Sequence, residues 1–151
     1  MRPLQYALLI PIAALATHAA AQSAPATTEV LQSTFGVFSG DAPNMQFTPT
    51  TKISRAAKPN YGWVIQVKTD KPSVHWREEF TLPAAATWGV EGGPTRVSKD
   101  RRTAVTERDV APSEGLILNS WAVADGDPAG HYVIKVSVDG GPEQRFDFDV
   151  E

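Results

Sequence analysis

The chain has 151 residues, 14 basic and 17 acidic side chains, a formal net charge of −3 and no cysteine. That is room for one domain, and it excludes a disulfide-stapled scaffold. The mildly acidic balance argues against nucleic acid or an anionic membrane surface as a partner.

Residues 1–21 have the pattern of a secretory signal peptide. Arg2 is their only charge, an apolar run extends from Ala7 to Ala16, and Ala19 and Ala21 precede a cleavage point at Gln22. The run is about ten residues, half of the roughly twenty that a membrane span needs. The expectation is export, to the periplasm or beyond the cell, with no membrane insertion once the signal is removed. Loss of Arg2 would leave a net charge of about −4. An exported chain without disulfides must be held by its core, and about 120 ordered residues can supply one. Residues 22–28 (QSAPATT) are small and polar and read as a flexible tether, leaving residues 29–151 as the folded domain.

Val30 to Phe38 is the first expected strand, with Leu31, Phe35 and Val37 on one face. A turn cluster follows, then an extended Thr-rich stretch from Gln46 to Ile53 in which Pro49 suggests an edge strand or a bulge. Tyr61, Trp63, Ile65 and Val67 alternate along a central strand. In the next, Val74, Trp76, Phe80 and Leu82 alternate with His75, Arg77, Glu79 and Thr81. Glu78 falls on the apolar side there, so it is expected at a sheet margin or beside a bulge that flips the face. Pro83 to Lys99 is irregular and contains Trp88. Arg102 to Val110 reads as an exposed strand and Leu116 to Val123 as an apolar one.

The C-terminal stretch is the most legible. Tyr132, Ile134, Val136 and Val138 form one apolar face and Phe146, Phe148 and Val150 another, around the turn sequence Asp139-Gly140-Gly141-Pro142. Opposite residues of a hairpin share a face, so the loop has an odd length. A five-residue loop, pairing Ile134 with Phe148 and Val136 with Phe146, matches more apolar residues than a three-residue loop pairing Ile134 with Phe146. Gly130-His131-Tyr132 entering the strand has the form of a tyrosine corner. No helical periodicity of useful length follows residue 21. Short strands at intervals of roughly ten residues predict an all-β fold, an immunoglobulin-like antiparallel β-sandwich of seven to eight strands.

These elements resemble a family of small exported bacterial β-sandwich domains of unknown function. The resemblance rests on Phe35-Gly36-Val37-Phe38, Asn60-Tyr61-Gly62-Trp63, Val97-Ser98-Lys99-Asp100, Glu107-Arg108-Asp109-Val110 and Asn119-Ser120-Trp121. It continues through Gly126-Asp127-Pro128, Gly130, Tyr132 and Phe146-Asp147-Phe148. It implies a periplasmic or secreted sandwich and carries no catalytic residue.

Chemistry-bearing residues are few. Asp125-Gly126-Asp127 could feed a hard cation such as calcium, but the spacing of a full oxygen cage is absent, and a solvated turn with Asp127 capping local amides is the preferred reading. His75, Arg77 and Glu79 share one strand face, expected to be wet and non-catalytic. Two histidines outside the signal, His75 and His131, do not make a usual zinc site. There is no Gly-x-Ser-x-Gly elbow, and Glu78 and Glu79 point to opposite faces of a strand. Trp88 either pins its loop to the domain, the preferred reading, or stands exposed as a contact for a partner or a sugar ring. The sequence therefore points to a non-catalytic binding or accessory module for a protein or envelope component, with no cofactor. A carbohydrate-binding module using Trp88 and a hydrolase with an unrecognised site are the alternatives.

Overall fold

The computed structural model describes residues 27–41, 43–89 and 92–151. The proposed signal with Ala19, Ala21 and Gln22, and most of the tether, lie outside the described residues. Ten strands follow in order: β1 (Thr28–Ser39), β2 (Gln46–Pro49), β3 (Lys52–Ile53), β4 (Asn60–Thr69), β5 (Val74–Thr81), β6 (Thr95–Val97), β7 (Thr103–Val110), β8 (Leu116–Ala122), β9 (Gly130–Val138) and β10 (Gln144–Val150). Seven are long; β2, β3 and β6 have four, two and three residues, too short for alternation to announce them. No helix occurs among the described residues.

Two sheets pack face to face, one ordered β2-β1-β4-β8 and the other β3-β10-β9-β5-β7-β6. Period-two alternation drives both. Tyr61, Trp63, Ile65 and Val67 of β4 are buried against Tyr132, Ile134, Val136 and Val138 of β9 and Phe146, Phe148 and Val150 of β10 in one core. Aromatic rings close the gap between the sheets: Phe35 of β1 stacks on Phe148 at 4.2 Å, and Tyr61 meets Phe148 at 5.5 Å. Such pairs add about 0.5–1.5 kcal/mol beyond the area they bury.

β1 departs from the simple pattern. Val30 faces Val67, but the next paired residues are Gln32 and Gln66, so Leu31 is an extra residue in a bulge. Leu31 is consequently exposed, not aligned with Phe35 and Val37, and the bulge brings Val30 onto the core side in its place. The strand also starts at Thr28, the last residue of the expected tether. Pro49 does lie on an edge strand, opposite Gly36. Beyond it the chain changes sheets, and Ile53 enters the core from β3, paired parallel to β10.

Gly36 and Gly62 face each other across β1 and β4. A methyl group on Gly62 would collide with the Asn119 carbonyl of β8, and one on Gly36 with the Thr48 carbonyl of β2. The four-stranded sheet is drawn together where only glycine fits.

The C-terminal hairpin takes the other register: Ile134 pairs with Phe146 and Tyr132 with Phe148, as a three-residue loop requires, not the five-residue loop expected. The reason is Asp139. Its amide donates to the His75 carbonyl (2.7 Å), which extends the β9–β5 ladder by one residue. Its carboxylate accepts from the His75 amide (2.9 Å), Thr28 Oγ1 (2.5 Å) and Lys71 Nζ (3.0 Å). Asp139 and Gly140 then turn at positive φ (48° and 69°) and the Gly141 amide returns to Val138. The tyrosine corner is present: Tyr132 donates its hydroxyl to the Pro128 carbonyl at 2.6 Å.

Burial pushes the Asp139 carboxyl up, but the bonds from Thr28, the His75 amide and Lys71 outweigh it and bring it down to about 2. A depressed carboxyl stabilises above its unfolded value near 3.9 and loses that contribution as pH falls through the folded one. Asp139→Asn is therefore expected to lower stability by roughly 1–3 kcal/mol at neutral pH, with the difference closing between about pH 4 and pH 2 in urea melts. Gly62→Ala is expected to cost about 2 kcal/mol or more by thermal melting, because the backbone of β8 must move away from β4.

Candidate functional site

Glu78 is neither at a margin nor beside a bulge. Its strand is unbroken, paired to Thr106 of β7 on one side and Val136 of β9 on the other, so the side chain enters the core. It is 0% exposed. Three N–H groups meet it: Trp63 Nε1 to Oε2 at 2.5 Å, Asn119 Nδ2 to Oε2 at 3.1 Å, and Trp121 Nε1 to Oε1 at 2.8 Å. Trp63 lies on β4 and the other two on β8, so one carboxyl ties the six-stranded sheet to two strands of the four-stranded one. Burial pushes the Glu78 carboxyl above the ordinary range; the hydrogen bonds from Trp63, Asn119 and Trp121 and the charge of Arg108 pull it back without cancelling the effect.

Asn119 and Trp121 also form a wall of a cleft of about 320 Å³, open between β8 and the β6–β7 edge of the other sheet. Thr95, Thr106 and Arg108 form the facing wall. The Thr95 and Thr106 hydroxyls lie 2.9 Å apart, both residues buried. Ala104, Thr106 and Arg108 share the inner side of β7, and at Arg108 that side emerges into solvent. Arg108 makes no hydrogen bond or ion pair among the described residues. It stands opposite Trp76 of β5, whose ring meets Trp63 edge-on at 5.2 Å and whose buried Nε1 has no acceptor among the described residues. The cleft thus presents a guanidinium, hydroxyls, an amide and an indole, at the lower end of the size range of small-ligand sites.

Trp88 is 7% exposed. Its Nε1 donates to the Arg101 carbonyl at 2.8 Å, and its ring meets Phe80 at 5.5 Å and Trp121 at 5.6 Å, both edge-on. It pins its loop to the core, and the exposed stacking face suggested for it is absent. Asp127 accepts from the Ala124 amide (2.8 Å) and Asp125 pairs with Lys58 (2.6 Å), the arrangement of a capped turn. No group of three or more His, Cys, Asp or Glu among the described residues is placed to hold a metal. His75 lies beside Asp109, and Arg77 beside Glu79, on the outer face of the six-stranded sheet. On the same face His131 bridges Asp147 and Asp149, each at 3.0 Å, and those bonds raise its pKa. The sequence missed the cleft. Its one signal was the misplaced acid at 78, and the cleft's residues come from three separated stretches.

A family model described as PM0630 beta sandwich domain matches residues 33–151. Among solved structures the chain is similar to an immunoglobulin-like protein from Pseudomonas aeruginosa. The TM-score is 0.53 at 13% identity, covering 83% of this chain and 97% of that one. That likeness is one of fold. No curated protein matches the chain.

Removing the Glu78 carboxyl would orphan two indole N–H groups and an amide. Glu78→Ala is expected to lower stability by roughly 3–5 kcal/mol at pH 7. A carboxyl raised in the fold contributes fully below its unfolded value, about 4.3, and loses that contribution as pH rises through the folded one. Glu78→Gln is expected to abolish this decline in pH-dependent urea melts. An unchanged pH profile would show that Glu78 does not titrate above its ordinary value.

Proposed function

The chain belongs to the PM0630 beta sandwich domain family, and on that premise we propose that it is an exported, non-catalytic binding module that recognises a protein or envelope component through the cleft beside β8. Export is supported by the pattern of residues 1–21. The observation that carries the binding reading is the preformed cleft with the exposed Arg108 guanidinium in its lining.

The non-catalytic reading is supported by what the cleft's lining holds. Hydrolysis by a carboxylate pair needs two acids flanking a substrate. Glu78 is sealed from solvent, Glu79 lies on the opposite face with Arg77, and no described lining residue is acidic. A partner contact through Trp88 is disfavoured because that ring is enclosed.

The purified protein, immobilised and challenged with an envelope fraction, is expected to retain one saturable component. Arg108→Glu is expected to release it while leaving the circular-dichroism spectrum and melting temperature unchanged. Retention that is indifferent to Arg108→Glu would refute the cleft as the binding site. Turnover of the retained component, lost in a Glu78 variant that still folds, would favour the hydrolase.

A further inference from the structure

We propose that the cleft takes a carboxylate-bearing sugar, a uronic acid unit of a larger glycan, with Arg108 receiving the carboxylate and the Trp121 indole receiving the ring. This rests on the binding-module reading of the same cleft and adds the class of its ligand.

Four observations lead there. Arg108 is the cleft's only charged lining residue among those described; no described acid forms an ion pair with it, and its charge acts on the buried Glu78 without a hydrogen bond. A guanidinium free to engage two oxygens is the planar complement of a carboxylate. Trp121 lines the cleft as a partly buried ring packed on Phe80 at 5.2 Å and Trp88 at 5.6 Å. An aromatic ring backed in this way can serve as a platform for the apolar face of a sugar. Thr95, Thr106 and Asn119 line the cleft beside these two groups with hydroxyls and an amide, suited to a ring that carries several hydroxyls. Finally, the two wall residues Asn119 and Trp121 are both held from behind by Glu78. An acid buried at substantial cost fixes the orientation of both, which makes Glu78 a positioning residue. With both oxygens occupied and no exposure, it does not compete for ligand, and burial disfavours the charge that would repel an anion. An acidic peptide would also satisfy Arg108, but it would leave the indole and the hydroxyls without matching groups.

The probes are a trigalacturonate and its methyl ester, which keeps the ring and removes the charge, titrated into the purified protein and followed by amide chemical shifts and tryptophan fluorescence. Saturable binding of the acid, at least tenfold weaker binding of the ester and weakening by added salt are expected. Arg108→Gln is expected to lose the acid preference and Arg108→Lys to keep part of it, both at unchanged melting temperature. Trp121→Phe is expected to weaken acid and ester alike. Equal binding of acid and ester, equal binding of a hexaglutamate peptide, or shifts remote from β7 and β8 would overturn the proposal. If trigalacturonate does not bind while the Arg108-dependent envelope capture persists, the ligand class falls and the binding module stands. If both are missing, both fall.

Discussion

A carboxyl buried between the layers of a sandwich can be satisfied from the facing layer, and Glu78 draws three donors from it at once. An ionisable carboxyl in an apolar core costs several kcal/mol unless its oxygens are satisfied. Satisfying them here fixes the height and lateral position of β4 and β8 over β5. A chain without cysteine has no covalent tie between its layers, so such a directional contact specifies how they align, while the surrounding apolar packing supplies most of the driving force. Two residues used by the tie also form a wall of the cleft. The order of the site therefore depends on the integrity of the core.

The two sheets present different outsides. On the six-stranded sheet His75, Arg77, His131 and Arg145 have acidic neighbours on the same face. Exposed pairs of this kind contribute little stability, but they leave that face well solvated. On the four-stranded sheet Leu116 and Leu118 of β8 are exposed, and Gly36 and Gly62 bring the strands into close approach. The cleft opens at the border between these two surfaces, where β7 carries its inner face out past the edge of β8.

What could be read in the sequence follows physical range. Alternation is local, so β4, β5, β9 and β10 were visible, and so was the tyrosine corner, whose bond spans four residues. The hairpin register was not, because Asp139 is held by Thr28, 111 residues away, and by Lys71, 68 residues away. Counting matched apolar side chains could not weigh those bonds. The alternation that aligns Leu31 with Phe35 and Val37 fails because a bulge leaves no local mark in a run of extended residues. Glu78 could be seen to violate the pattern, but its donors lie 15, 41 and 43 residues off, and nothing nearby announces them. The cleft was invisible for the same reason: β6 is three residues long, and Arg108 lies on a strand that reads as merely polar. Trp88 illustrates the reverse case, in which a residue in an irregular segment draws attention by its position although its ring is enclosed.

The chain holds two Asp-Gly steps in turns, at 125–126 and 139–140, and they differ in chemical lifetime. An aspartyl side chain followed by glycine ages by ring closure onto the next amide nitrogen, a reaction that requires the carboxyl to swing free. Asp139 is tied to three other residues, so its bond is protected by the same contacts that set the turn. Asp125 is open to solvent and, among the described residues, held only by the long side chain of Lys58. Slow isomerisation should therefore accumulate at Asp125 and spare the hinge of the C-terminal hairpin.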